Sequence, residues 1–149
     1  MVAFLQVRAL VDAEVDAVGR VLGLARLYQG NGDYLVAWIE DEPVGHAYLT
    51  RTDPPELQDV EVREAFRRRG VARRLVTSAE TSARERGADS LRLSVSVQHT
   101  GVQTLYRSLG FIDTGLTPVT VHGTIHVRTG PLEVDDVLLT WEKKLVAPT

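Results

Sequence analysis

Residues 57–72 read Leu57-Gln58-Asp59-Val60-Glu61-Val62-Arg63-Glu64-Ala65-Phe66-Arg67-Arg68-Arg69-Gly70-Val71-Ala72. The first six continue a strand pattern that starts at Glu56, and the last six open a helical one. A strand that runs through a glycine-bearing turn into a helix start makes an anion site, because the first backbone N–H groups of a helix have no internal acceptor and the helix dipole favours negative charge there. Gly70 has no side chain to hold a ligand away, and Ala72 keeps the next turn open. The flanking arginines supply charge-assisted hydrogen bonds for phosphate oxygens. The segment therefore reads as a cradle for a pyrophosphate.

Working outward, Val71, Ala72, Leu75, Val76, Ala79 and Ala83 form one apolar stripe at helical spacing, with Glu80 one turn before Arg84 on the outer face and Gly87 as terminator. Residues 90–97 alternate and predict a strand. A shorter helix over residues 100–109 ends at Gly110, and Phe111 opens another strand. Towards the N-terminus, residues 4–9 predict a strand, and Asp12 begins a helix with Val15, Val18, Val21 and Leu22 on one face. Gly30-Asn31-Gly32-Asp33 reads as a loop. Strands over 34–39 and 44–50 are joined by Glu40-Asp41-Glu42-Pro43, and Pro54-Pro55 separates them from the strand over 56–62. Residues 113–135 stay open between strand and loop, and 137–145 predict a final strand. The order is mixed α/β, without internal repeats, and residues 1–149 read as a single domain.

The chain has 149 residues, 44% of them hydrophobic and 25% charged, which suits a globular protein with a substantial core. No apolar run is long enough to span a bilayer and no basic-then-apolar signal pattern opens the chain, so a cytoplasmic location is the simplest expectation. There is no cysteine, which excludes disulfides, thiolate metal sites and a cysteine nucleophile. Residues 63–74 hold six arginines and one glutamate, a net of +5, which leaves −8 for the rest of a chain whose total is −3. A basic island in an acidic body points to one localised anion rather than to nucleic acid, which needs an extended basic face.

Three features in order resemble the GNAT (Gcn5-related N-acetyltransferase) superfamily: Arg67-x-x-Gly70-x-Ala72 after a strand, the segment Leu105-Tyr106-Arg107-Ser108-Leu109-Gly110-Phe111, and the helix and strand between them. The match covers residues 57–111. The resemblance implies a central, mostly antiparallel mixed sheet of six to seven strands, flanked by about four helices and splayed at its middle two strands. It also implies an N-acetyltransferase that moves an acetyl group from acetyl-coenzyme A to a primary amine by direct attack, through a tetrahedral intermediate and without a metal.

The resemblance assigns the pyrophosphate to the backbone of Arg67, Arg68, Arg69, Gly70, Val71 and Ala72, with arginine side chains, Arg73 among them, at the rim. It lays Val60 and Val62 along the pantetheine arm. His99, preceded by Gln98, stands where the family often carries an asparagine that touches that arm. Tyr106 is the family's usual general acid, since a phenol is protonated at neutral pH and can donate to a leaving thiolate.

For the base, Glu56, Asp59 and Glu61 lie on the strand that leads to the turn. Some histone acetyltransferases of the superfamily carry a glutamate where Glu56 falls when counted back from Gly70, which ranks Glu56 before Glu61. Simple alternation puts Asp59 and Glu61 on the strand face opposite Glu56. The histidines His46, His99, His122 and His126 sit in no metal motif, although His122 or His126 could line an acceptor pocket. Residues 24–33 and 116–136 are expected to shape that pocket, and Glu133, Asp135 and Asp136 are compatible with a cationic acceptor, either a small-molecule or a peptide amine. Homodimers are frequent in the family. A non-catalytic acyl-coenzyme A sensor is the main alternative. A dinucleotide fold is disfavoured because the turn has only one of the glycines of G-x-G-x-x-G.

Overall fold

A computed structural model describes residues 4–24, 32–127 and 130–145. Among them, β1 (Leu5–Ala9) is followed by a single 3-10 turn (Asp12–Glu14), α1 (Val15–Leu22), β2 (Gly32–Ile39), β3 (Glu42–Thr50) and β4 (Glu56–Val62). A second 3-10 turn (Glu64–Phe66) leads to α2 (Val71–Glu85), β5 (Ser90–Ser96), α3 (Thr100–Ser108), β6 (Ile112–Asp113), β7 (Val119–Val127) and β8 (Gly130–Lys144). The strands form one open sheet in the order β1-β2-β3-β4-β5-β8-β6, and β7 pairs with the N-terminal part of β8. Every pair is antiparallel except β4–β5.

Residues 113–135, which periodicity leaves open, supply all of β7 and the start of β8, so the sheet has eight strands. The β7–β8 ladder runs from Val119↔Leu138 to Val127↔Gly130. Leu138 also pairs with Ser96 of β5, so the β7–β8 arm starts where β5 ends. The β2–β3 connection is tighter than the four residues expected. Glu40 and Asp41 alone make the turn, with φ of 49° and 66°, the left-handed pair that matches strand twist in a two-residue hairpin. Gly32 and Asp33 belong to β2 rather than to a loop. A Cβ at position 32 would meet the Tyr48 ring, so only glycine fits there. Residues 25–31, which include Gly30 and Asn31, lie outside the described residues.

One face of the sheet carries α2 and α3 over the main core, where Leu49, Leu75, Leu91, Leu93 and Phe111 are almost fully buried. The other face carries α1, whose Val15 and Val18 are buried, with Val18 packed with Leu24 and Val36. Val21 is 45% exposed and lies off that face. The stripe on α2 is buried as its spacing predicts, with one correction: Glu80 is not on the outer face. It is 4% exposed, and both its carboxylate oxygens accept from Lys143 Nζ on β8, at 3.0 and 3.1 Å, while Arg84 stands at 4.0 Å. The Lys143 pair lets a carboxylate occupy a core-facing helix position and ties α2 to the sheet. Among the described residues, no helix is long and apolar enough to cross a membrane.

Removing only the cation leaves a buried carboxylate without its counter-charge. Lys143→Met is expected to cost about 3 kcal/mol at pH 7 in urea unfolding, as for other broken buried pairs. A loss below about 0.5 kcal/mol would mean that Glu80 is solvated by another route.

Candidate active site

The site begins where two central strands part. β4 and β5 pair only at Glu56↔Arg92 and Leu57↔Leu93, closed below by Arg92 N–H donating to the Pro55 carbonyl at 3.0 Å. Beyond Leu57 the rest of β4 has no partner on β5, and a V-shaped gap opens. The cause lies in the β3–β4 ladder. Tyr48 pairs with Gln58 and His46 with Glu61, so β4 holds one residue more than β3 across this step. Asp59 takes φ of 53° in that bulge. A bulge bends its strand and strengthens the twist, which swings the end of β4 away from β5.

The bulge also reverses side-chain parity. Alternation alone puts Glu61 opposite Glu56, yet Glu56, Gln58 and Glu61 all project from the face that carries α1, together with His46 and Tyr48. This corrects the expected separation of Glu56 from Glu61. Glu61 is 59% exposed, and one of its oxygens, Oε2, lies 3.3 Å from Nε2 of His46, which is buried. Sequence reasoning missed His46, because its significance depends on a bulge that has no glycine to announce it.

Past Val62 the chain makes its 3-10 turn and reaches α2 through Arg68, with φ of 64°, and Gly70, with φ of 79°. These two left-handed residues turn successive N–H groups towards one side. Among the described residues, the N–H groups of residues 68–73 meet no acceptor, and Gly70 provides no side-chain cap. Gly45 on β3 lets α2 settle close to the sheet, for a Cβ there would press on Glu61 O and approach Val71 and Leu75.

The arginines divide into two groups. Arg63 is held by Glu42 at 2.5 Å. Arg67, Arg68, Arg69 and Arg73 form no ion pair among the described residues. Arg67 Nε donates to the Val62 carbonyl at 3.1 Å, Arg69 lies against Phe66, and Arg73 reaches Ser108 Oγ on α3 at 3.1 Å. A cleft of about 250 Å³ lies beside Arg67, Arg68 and Arg73, floored by Val62, Phe66, Val71, Ala72 and Leu105. Free N–H donors, unneutralised guanidinium groups and an apolar floor together suit an anion carrying an organic chain.

Tyr106 follows Leu105 on α3, is 7% exposed and stands edge-on to Phe111. Burial pushes its phenol up to about 12, so the hydroxyl holds its proton across the neutral range. His99 is exposed at the start of α3. Gln98 donates its side-chain amide to the Asp135 carbonyl at 3.1 Å, which commits it to β8 and leaves His99 as the uncommitted member of that pair. His122 pairs with Asp135 at 3.5 Å and Thr124 with Glu133, all on the arm face opposite Asp136. The side chain of His126 lies outside the described residues. No three metal-type ligands cluster among the described residues.

The comparisons agree with this geometry. The model of the acetyltransferase (GNAT) family matches residues 8–111. The uncharacterised N-acetyltransferase YvbK of Bacillus subtilis strain 168 is 29% identical over 86 residues, 56% of each chain. The chloroplastic GCN5-related N-acetyltransferase 4 of Arabidopsis thaliana is 38% identical over 61 residues, 41% of this chain and 21% of the relative. The matches thus span about half of the first relative's length and about a fifth of the second's. Among solved structures, the ribosomal-protein-S18-alanine N-acetyltransferase of Escherichia coli superposes with a TM-score of 0.72 at 16% identity, over 98% of this chain and 97% of that one. A GNAT family acetyltransferase of Elizabethkingia anophelis with acetyl-CoA bound gives 0.67 at 15% identity, over 95% and 98%. At these identities the structures share the fold.

Two outcomes follow from the backbone and the burial. Gly70→Ala places a side chain in the left-handed region and is expected to cost about 1 kcal/mol in urea unfolding, with no steric contribution since the space is open; an unchanged midpoint would contradict the assigned conformation. For Tyr106, the unfolded phenol ionises near pH 10 while the folded one waits until about 12, so stability falls as pH rises through that window. Between pH 9 and 11 the native chain should lose about 1 kcal/mol more than Tyr106→Phe, and parallel losses would contradict the burial of the phenol.

Proposed function

The chain belongs to the GNAT acetyltransferase family, and on that premise we propose that it moves the acetyl group of acetyl-coenzyme A to a primary amine. The observation that carries this reading is the pairing of a parted β4–β5 gap with acceptor-free N–H groups at residues 68–73. The pyrophosphate sits on those N–H groups, with Arg67, Arg68, Arg69 and Arg73 around it. The pantetheine arm passes into the gap along Val60 and Val62, with His99 at the rim. Backbone groups of β4 left without a β5 partner then bind the arm as an added strand would.

Held in that way, the thioester carbon meets an amine arriving from the face of Glu56 and Glu61. Placement converts a bimolecular encounter into a local one. A carboxylate takes the ammonium proton, the neutral nitrogen attacks, and donors in the gap stabilise the tetrahedral oxyanion. Collapse breaks the C–S bond, Tyr106 gives its proton to the departing thiolate, and the second proton on nitrogen returns through water to the Tyr106 phenolate, leaving a neutral amide. The elevated phenol is fully protonated for that step. The same burial also favours a second reading, an acyl-coenzyme A sensor in which Tyr106 is only a core residue.

Free-thiol release from acetyl-coenzyme A in the presence of phenethylamine, spermidine, kanamycin or an Ala-Ala-Ala peptide separates the two. Enzyme-dependent release with at least one amine is expected. Tyr106→Phe should lower turnover by about 100-fold, as for loss of a general acid, with coenzyme A affinity within about 2-fold. Tight coenzyme A binding without release would favour the sensor, and undiminished turnover would remove Tyr106 from the mechanism.

A further inference from the structure

We propose that His46 and Glu61 work as one unit, the buried imidazole positioning the Glu61 carboxylate as the group that takes the acceptor ammonium's proton. This inference rests on the acetyl-transfer reading above.

His46 lies in the middle of β3 and is 2% exposed, while Glu61 opposite it on β4 is 59% exposed. Nε2 and Oε2 are 3.3 Å apart. The pair therefore spans the boundary between core and solvent: one carboxylate oxygen rests against a fixed ring, and the other is left for a ligand. On its β2 side His46 is paired in register with Val36, which is fully buried, so the neighbouring strand offers an apolar side chain there while Glu61 supplies the charged partner on the β4 side.

The bulge creates this arrangement. Without the extra residue, Glu61 would point to the α2 face, into the main core. With it, Glu61 comes onto the histidine, on the same face as Glu56 and on the strand that forms one wall of the gap. The cost is a left-handed Asp59, a conformation that a non-glycine residue adopts only where the surroundings enforce it. A free glutamate on a strand edge samples several rotamers, and a hydrogen bond from a buried, immobile donor selects one of them.

With the proton on Nε2, the imidazole donates to Oε2 and keeps its proton throughout. The ammonium proton passes to the free oxygen of Glu61, the nitrogen lone pair forms the C–N bond, the C–S bond breaks, the thiolate takes a proton from Tyr106, and the second proton on nitrogen passes through water to the Tyr106 phenolate, leaving a neutral amide and the coenzyme A thiol. Glu61 then releases its proton to water. His46 is thus a positioning residue, since it touches neither substrate nor the reacting atoms.

The test is a double-mutant cycle on kcat/KM, using the fastest of the four amines above. His46→Leu should lower kcat/KM about 10-fold in the native background and less than about 2-fold in a Glu61→Gln background, because its effect passes through Glu61. His46→Gln, whose amide nitrogen falls close to the Nε2 position, should restore activity to within about 3-fold of native. His46→Asn, which keeps a donor but falls short of Glu61, should behave like His46→Leu and covers the case in which His46→Leu does not fold. Coenzyme A affinity by calorimetry should be unchanged in all of them. Equal losses in both backgrounds, or native activity in Glu61→Gln, would overturn the proposal while leaving acetyl transfer intact. A native protein that binds coenzyme A but releases no thiol with any of the four amines would overturn both.

Discussion

Among the described residues the N–H groups of residues 68–73 have nothing to receive them, and the surrounding structure is what keeps them so. A helix start can leave its donors open only where water or a ligand reaches them, because an unmet donor in the interior costs as much as a lost hydrogen bond. Here the opening is held by packing elsewhere. The apolar stripe of α2 is buried against the sheet, Gly45 allows the close approach, and the Glu80–Lys143 pair fixes the far half of the helix. The donors are therefore set in place before any anion arrives, and ordering them adds little to the cost of binding.

The gap between β4 and β5 is the second half of the same arrangement. A continuous ladder would have spent the β4 backbone on β5. One extra residue between Gln58 and Glu61 bends β4, ends the pairing after Leu57, and at the same time turns Glu61 over to the face of Glu56. Strand separation and placement of the carboxylates thus have one cause. The charge pattern follows a similar economy. Arg8, Arg51, Arg63, Arg86 and Arg92 each have a carboxylate partner. Among the described residues Arg67, Arg68, Arg69 and Arg73 have none, so the positive potential is concentrated at the cleft of an otherwise acidic chain.

Much of this was legible in the sequence, wherever a local pattern determines the outcome. The stripe from Val71 to Ala83, the alternation through β5, the glycine-led helix start and the Leu105–Phe111 segment all have short-range signatures. Features set by distant partners were not. Glu80 reads as a surface residue because Lys143 is far along the chain. The bulge escapes notice because Asp59, not glycine, occupies the left-handed position, and every side-chain parity after it is inverted. Gly130–Asp136 is hidden as strand because acidic residues stand on both faces of the arm, Glu133 and Asp135 on one and Asp136 on the other, where no core selects apolar residues. His46 has no local signature either, and it acquires meaning only from the register of β3 against β4.

The most direct measurement is the backbone amide spectrum of the ¹⁵N-labelled protein, titrated with coenzyme A. The account predicts that the amides of residues 68–73 shift together and saturate with a single affinity, and that inorganic pyrophosphate competes for the same resonances. Coenzyme A binding that leaves those amides in place, or no binding at millimolar concentration, would contradict it.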